Sequence, residues 1–281
     1  MKNICLRIGF IVSVLFPLIY SLACQVSTKT IKTGYYELST GSGWNEDEKK
    51  IIEEIIANLD NLREKVNEML ENELPPKLKL VITDEGMGST AIREEEKILL
   101  NAVHVRNLNL KDCLNRIAHE TAHIALFRMS KRKIIEWENK FLDEGVALYA
   151  GYHYVGELEE LNALSNKIAM EDFKNGKASL AYLRDWEKNV REKQRQFAEK
   201  WRTENSGKTP TLDNFITGGY RTYFTSYSFV KVFMDKYSLS QLQRAIRNIG
   251  EGKSQSEAFK MVTGKNLSEL ISEWHSSLSN V

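Results

Sequence analysis

The chain carries an H-E-x-x-H pattern made of His119, Glu120 and His123. If residues 111–128 form a helix, a rotation of about 100° per residue places the two histidines about 40° apart on one face. Two imidazoles one turn apart can hold one zinc ion, and the carboxylate of Glu120 can act on a water bound to that metal. The spacing therefore predicts a metal site on this helix.

The two sides of the predicted helix differ in polarity. The side opposite the histidines is predicted to face the core, and it carries Leu114, Ile117, Ala118, Thr121, Ile124 and Ala125. The histidine side also carries Asn115 and Arg116, which predicts that it lines a polar cleft. A histidine that only fills the core would share the apolar side, so the pattern favours metal ligands. The alternative is a short motif that occurs by chance on a solvated helix.

Glu144 supplies a third candidate ligand, 20 intervening residues after His123. In a helix over residues 136–152 it shares one face with Trp137, Phe141, Ala147 and Leu148. An unpaired carboxylate on such a face costs roughly several kcal/mol, and coordination to a dication removes that cost. Two neutral histidines and one carboxylate, with a fourth position open to water, are typical of catalytic rather than structural zinc sites. The sequence thus predicts one zinc ion per chain, held by His119, His123 and Glu144.

The H-E-x-x-H pattern and the later string Asp143-Glu144-Gly145-Val146-Ala147 together resemble the gluzincins. These are the thermolysin-like and aminopeptidase-N-like zinc metallopeptidases, and the chain is most similar to the peptidase MA-like group within them. The resemblance is specific over residues 119–147. It implies a zincin-type domain with His119, His123 and Glu144 as zinc ligands and Glu120 as the general base.

Residues 222–237 are predicted to form a helix with an apolar and aromatic stripe of Tyr223, Tyr227, Val230, Phe233, Met234 and Tyr237. The string Tyr-x-x-x-Tyr-x-Phe that starts at Tyr223 is similar to a gluzincin segment whose tyrosine stabilises the tetrahedral intermediate. The resemblance implies that catalytic role for Tyr223. A core position on the stripe is an equal alternative, and Tyr220 and Tyr227 are the next candidates for the role.

Residues 1–23 are predicted to be a signal peptide. Lys2 and Arg7 precede an apolar stretch of suitable length, and small residues follow it just before Cys24. The Ala23-Cys24 pair resembles a bacterial lipoprotein signal, in which the cysteine becomes the first mature residue and carries a lipid. This predicts an extracytoplasmic protein of the cell envelope, anchored to the membrane through Cys24. The alternatives are secretion without a lipid and an uncleaved membrane anchor.

Residues 24–44 are polar and are predicted to be a tether containing at most one short strand. A single domain is predicted over residues 45–281. Its expected elements are a long amphipathic helix that starts at an Asn45–Glu48 capping box, strands over 77–83 and 98–100, charged helices over 153–207 and short C-terminal helices. Residues 103–105 are a candidate continuation of the second strand, with His104 as a surface or otherwise satisfied histidine. The fold class is therefore α+β and mainly helical, with a small sheet before the metal-binding helix and a helical C-terminal part.

The composition argues against a nucleic-acid partner, because 39 Lys and Arg residues nearly balance 38 Asp and Glu residues. Three cysteines do not form a disulfide framework. Cys113 is interpreted as a small core residue.

The expected function is zinc-dependent hydrolysis of peptide bonds outside the cytoplasm, with a peptide or protein as substrate and Glu120 activating a zinc-bound water. Two other functions remain open. One is a surface binding module that holds zinc without turnover. The other is metal-dependent hydrolysis of a non-peptide bond, since the motif specifies activation of water and not the group that water attacks.

Overall fold

The computed structural model describes residues 29–41, 43–84, 89–185, 190–204 and 220–279. The strands in this part of the chain are β1 (Lys29–Lys32), β2 (Tyr36–Thr40), β3 (Leu78–Thr83), β4 (Thr90–Ile92) and β5 (Lys97–Asn101). They form one mixed sheet in the order β1-β2-β3-β5-β4. The inner pairs β2–β3 and β3–β5 are parallel, whereas the outer pairs β1–β2 and β4–β5 are antiparallel. Strand β4 therefore forms one edge of the sheet and β1 the other.

Most of the described residues are helical. The α-helices are α1 (Glu46–Met69), α2 (Ala102–Arg106), α3 (Leu110–Met129), α4 (Lys140–Val155), α5 (Leu158–Lys174), α6 (Leu180–Arg184), α7 (Glu192–Glu204), α8 (Arg221–Tyr237), α9 (Leu239–Gly250), α10 (Gln255–Thr263) and α11 (Leu267–Ser279). The protein is thus a mainly helical α+β protein whose small sheet precedes the helix with the H-E-x-x-H pattern, as the sequence predicts.

One face of the sheet is buried because alternate residues of each inner strand are apolar. These buried residues are Tyr36, Leu38, Leu78, Leu80, Ile82, Ile98 and Leu100. Helix α1 packs against β2, and α3 packs against β4, β5 and α1. The hydroxyls of Tyr36 and Thr121 lie 3.2 Å apart and link β2 to the core side of α3. The sheet and α1 therefore fix the position of α3.

Helix α4 packs against both α3 and α8, and two of its glycines allow this close approach. A Cβ atom added to Gly145 would lie 2.6 Å from Cγ2 of Val230 on α8. A Cβ atom added to Gly151 would lie 2.7 Å from Oδ1 of Asn115 on α3. The helix that contains Glu144 is therefore held between the helix with the two histidines and the helix with Tyr223.

Residues 103–105 do not continue β5. The Asn101 side chain accepts a hydrogen bond of 2.9 Å from the backbone N–H of Val103, so it caps α2, and His104 lies in this short helix. An Asn side chain at this position satisfies one of the first N–H groups of a helix, which strand periodicity does not reveal.

The polar segment before α1 contributes two strands instead of at most one. In β2, Tyr36 and Leu38 are buried while Glu37 is exposed. The polar composition of this segment reflects outward-facing positions of the sheet, so it does not distinguish a strand from a tether.

Trp137 also differs from expectation, because α4 begins only at Lys140 and Trp137 lies in the preceding 3-10 turn with 44% of its surface exposed.

The predicted signal peptide and Cys24 lie outside the described residues. Among the helices that the structure describes, none combines the length and the apolar character required to cross a membrane.

Candidate metal centre

Helix α3 presents His119, Glu120 and His123 on the side that faces away from the core. The six residues predicted to face the core are all buried. On the other side, the three residues of the motif line a cavity together with Asn115 and Arg116. The predicted division of this helix into an apolar face and a cleft-lining face is therefore confirmed.

Glu144 reaches the two histidines from α4. Its Oε2 atom lies 3.4 Å from Nε2 of His119 and 3.3 Å from Nε2 of His123, and the two Nε2 atoms are 3.1 Å apart. Three donors at about 2.0–2.1 Å from a tetrahedral metal ion are separated from one another by about 3.3–3.4 Å. The three atoms thus form a triangle of a suitable size for one metal ion.

The chemistry of the three residues also fits a metal. Glu144 is buried, and its Oε2 atom has no hydrogen-bond partner among the described residues. The histidine nitrogens lie 3.3 and 3.4 Å from it, and a buried carboxylate oxygen in such a position is costly unless a positive charge neutralises it. His119, His123 and Glu144 could therefore hold a metal ion, and their N and O donors suit several divalent metals.

Asp143 orients one of the histidines. Its Oδ1 atom lies 2.7 Å from Nδ1 of His123 and accepts the N–H of that ring nitrogen. With the proton on Nδ1, the lone pair of Nε2 points to the metal position, which is the usual arrangement of a metal-bound histidine and its carboxylate. Asp143 immediately precedes Glu144, so a single turn of α4 supplies both one candidate ligand and the group that orients another candidate ligand, His123.

Two cations hold Asp143 in place. Its Oδ2 atom accepts hydrogen bonds from Arg93 at 2.8 Å and from Lys140 at 2.7 Å. Lys140 precedes Asp143 and Glu144 by three and four residues on α4, a helical spacing that could have been recognised in the sequence. Arg93 follows β4 and is 50 residues away from Asp143, so no local signal marks it.

The electrostatics of this cluster favour a positive charge at His123. Burial disfavours charge on His123, but the carboxylates of Asp143 and Glu144 outweigh burial and raise the pKa of His123 to about 9. Burial likewise opposes ionisation of Glu144, yet His123, His119 and Lys140 hold its pKa well below the usual range. A dication at this position would take over the stabilising role of the proton on His123, and the two would compete.

Glu120 stands apart from this network. It is buried, lines the same cavity, and forms no hydrogen bond or ion pair with any residue that the structure describes. The cavity has a volume of about 700 Å³ and is bounded by α3, α4, α8 and the edge strand β4. Its size is within the range of small-molecule and peptide-binding clefts.

Tyr223 and Tyr220 lie on the wall of this cavity. Burial, and then the nearby Glu144 and Tyr220, raise the pKa of Tyr223 well above the usual value, so its hydroxyl stays protonated at neutral pH. This hydroxyl also accepts a hydrogen bond of 3.3 Å from Gln194.

Tyr227 does not line the cavity. It donates a hydrogen bond of 2.7 Å to Asn162 and packs in a small core cluster with Leu161, Ile168 and Phe224.

His104 is buried and is not the surface histidine that one interpretation of the sequence allowed. Its Nδ1 atom lies 2.9 Å from Oδ2 of Asp112, in the first turn of α3. Cys113 is fully buried, as predicted for a core residue, and burial raises the pKa of its thiol to about 12.

Comparison with known proteins adds no family assignment. No model of a known protein family matches the chain, and a search of curated proteins finds no match.

Proposed function

We propose that this protein is a zinc-dependent metallopeptidase of the zincin type that acts outside the cytoplasm. One observation carries the proposal: His119, His123 and Glu144 converge in a cleft beside Glu120, a carboxylate with no partner among the described residues. Two histidines and a carboxylate leave a coordination position open, which is typical of catalytic sites.

When bound, zinc supplies a Lewis acid that polarises a carbonyl oxygen and acidifies water. Glu120 then has the role of general base. Its carboxylate takes the proton of the attacking water and passes it to the amine nitrogen that leaves. The protonated hydroxyl of Tyr223 is a hydrogen-bond donor on the cleft wall, where it would stabilise negative charge that develops on the substrate oxygen.

An extended peptide suits the shape of the cleft. Thr90 and Ala91 of β4 line the cavity, and β4 is the edge strand of the described sheet. The outer edge of such a strand can bind an extended chain through main-chain hydrogen bonds. Because β4 lies on the cavity wall, we favour a peptide substrate over a substrate that has no peptide backbone.

The test begins with metal analysis of the freshly purified full chain, for which we expect one zinc ion per chain. Cleavage of a peptide library should stop when a chelator removes the metal and should resume when zinc is added back. Glu120→Gln should keep the metal and lower the rate about 10²–10⁴-fold, whereas His123→Ala should lose the metal as well.

Glu157→Gln is the matched control, because Glu157 lines the same cavity but lies beside Lys111 at 2.6 Å. Absence of metal in the purified protein would contradict the proposal. Metal binding without peptide cleavage would favour a zinc-containing binding module or hydrolysis of a non-peptide bond.

A further inference from the structure

One face of α3 continues beyond the metal ligands towards its N-terminal end. Asp112, Arg116 and Glu120 follow each other at intervals of four residues and all line the cavity. Residues at this spacing have Cβ atoms about 5–6 Å apart. Arg116 therefore lies one helical turn from both His119 and Glu120, next to the candidate metal centre.

Arg116 is held at only one of its nitrogens. Its Nε atom donates to Oδ1 and Oδ2 of Asp112 at 3.1 and 3.2 Å. Asp112 is fixed in turn by His104 at 2.9 Å. The two terminal nitrogens of Arg116 have no hydrogen-bond partner among the residues that the structure describes. A guanidinium held in this way presents two N–H donors whose spacing matches that of the two oxygens of a carboxylate.

The other cationic side chains of the cavity are placed differently. Arg93 and Lys140 both bind Asp143 and face further carboxylates of the metal centre. The ammonium group of Lys111 lies 2.6 Å from Glu157. Arg93 also binds Asp143 through a single nitrogen, but it lies among the carboxylates of the metal centre, whereas the ion pair of Arg116 leaves both of its terminal nitrogens without a described carboxylate.

The charge of the cleft also favours an anion. The cationic and the carboxylate side chains that line the cavity are equal in number: Arg93, Lys111, Arg116 and Lys140 against Asp112, Glu120, Glu144 and Glu157. Asp143 adds one negative charge behind them, so a bound dication makes the cleft net positive. Tyr152 and Tyr220 also line the cavity.

We propose that Arg116 binds a carboxylate of the substrate within about two residues of the cleaved bond. The preferred substrates are then peptides with an acidic side chain or a free C-terminus at that position. This inference rests on the proposed peptidase function, because it names the substrate class of the same site.

The test measures binding and not only turnover. The full-length Glu120→Gln chain, loaded with zinc, is titrated with two sets of paired synthetic peptides. In the first set, the two peptides of a pair differ by Glu or Gln at one position, and each position is tested in turn. In the second set, the two peptides differ by a free or an amidated C-terminus. We expect one Glu position or the free C-terminus to strengthen binding. Adding Arg116→Gln should abolish that preference, with about ten- to a hundredfold weaker binding of the carboxylate peptide. Comparison of the two peptide sets identifies the source of the carboxylate.

Two further variants separate specific recognition from a general charge effect. Lys111→Gln removes a positive charge from the same cavity and should retain the preference. Arg116→Lys keeps the positive charge but loses the paired N–H donors, so this variant should retain only part of the preference for the carboxylate peptide. Zinc content and circular dichroism of each variant show that the centre and the fold are intact.

The outcomes distinguish this inference from the proposed function. Hydrolysis that does not distinguish Glu from Gln peptides, or an unchanged preference in Arg116→Gln, overturns the role of Arg116 and leaves the peptidase proposal standing. A carboxylate preference that depends on Arg116, without hydrolysis by the wild-type chain, supports the binding site and contradicts the peptidase. If no peptide binds, both proposals are wrong.

Discussion

Asp143 shows how a single buried residue links the candidate metal centre to the sheet. It accepts the N–H of His123 with one oxygen and binds Arg93, which follows the edge strand β4, with the other. Its side chain is fully buried, and Arg93 and Lys140 are nearly so. A buried carboxylate that satisfies two buried cations is costly to neutralise, because the cations then lose their counter-charge.

Replacement of Asp143 by Asn should therefore have two effects. The amide oxygen can still accept the His123 N–H, but the amide NH₂ group opposes the donors of Arg93 and Lys140. We expect a loss of about 3–5 kcal/mol in the free energy of unfolding and metal affinity about 10–100-fold lower. Denaturant unfolding of the metal-free chain and zinc titration against a competing chelator measure the two effects.

Asp112→Asn is the matched control, since Asp112 also contacts a histidine, His104, that is outside the three-residue metal cluster. Its zinc affinity should remain close to that of wild type. Equal losses of zinc affinity in both variants would show that Asp143 does not act by orienting His123.

Tyr223 allows a second test at the level of a residue. Tyr223→Phe removes the hydroxyl but keeps the ring and its packing against the core. If the hydroxyl donates to charge that forms in the transition state, kcat should fall about 10²–10³-fold with little change in KM or in zinc content. A rate within about threefold of wild type would assign Tyr223 a packing role. The same substitution at Tyr227, which lies outside the cavity, should leave kcat unchanged.

The grouping of the three residues that could hold a metal ion was predictable because the spacing of the motif is local. The H-E-x-x-H spacing defines one helix face, and an acidic residue in an apolar segment identifies Glu144. Arg93 could not be predicted, since it reaches Asp143 through the folding of the sheet edge onto α4. The pair of Asp112 and Arg116 has a helical i,i+4 spacing that the sequence shows, but the contact by which His104 of α2 fixes Asp112 has no such signal.

At the level of elements, the site depends on the close packing of α4 between α3 and α8. Gly145 directly follows Glu144, one of the three residues that could hold a metal ion, and its Cα faces Val230 and the backbone carbonyl of Ser226 on α8. Any side chain at this position pushes the two helices apart. The glycine thus sets the distance between Glu144 and the tyrosines of α8.

Gly145→Ala should destabilise the protein although alanine is the better helix former. The new Cβ atom would lie 2.6 Å from Cγ2 of Val230 and 3.1 Å from the Ser226 carbonyl oxygen. Overpacking of this kind costs about 1–3 kcal/mol, which exceeds the gain in helix propensity of about 1 kcal/mol or less. We expect a lower free energy of unfolding and weaker zinc binding, measured by denaturant unfolding and zinc titration.

A double variant tests the cause. Val230→Ala removes the Cγ2 atom, so Gly145→Ala should be less destabilising in the Val230→Ala background than in wild type. Equal effects in the two backgrounds would mean that the contact with Val230 is not responsible.

Long periodic elements were predicted better than short ones. The helices α1, α3 and α8 and the strands β3 and β5 follow from repeated apolar spacing, which tertiary contacts only reinforce. The helix α2 was missed, and the segment that forms β1 and β2 was predicted to contain at most one short strand. The single residue Asn101 ends β5 and caps α2, so no loop separates the two elements. Strand β2 pairs in parallel with β3, and the two strands are separated in the sequence by the whole of α1.

At the scale of the whole molecule, the sheet separates the N-terminal end of the described chain from the cleft. Strand β1 begins at Lys29 and forms the edge opposite β4, whose residues line the cavity. Four strand spacings of about 4.8 Å place these edges about 19 Å apart. Cys24 precedes Lys29 by five residues in the sequence. A lipid anchor on Cys24 would therefore connect to the described part of the chain at β1, the edge opposite β4.

We therefore predict that Cys24→Ser releases the protein from the membrane fraction or leaves its signal segment uncleaved. The physical reason is that a serine hydroxyl cannot form the thioether that carries the lipid of a bacterial lipoprotein. Fractionation and labelling with a radioactive fatty acid in a bacterial host measure attachment directly. Cys113→Ala is the control, since the thiol of Cys113 is buried in the core and its loss should change neither labelling nor fractionation. Unchanged membrane attachment with normal cleavage in Cys24→Ser would contradict the lipid anchor and favour processing by an ordinary signal peptidase.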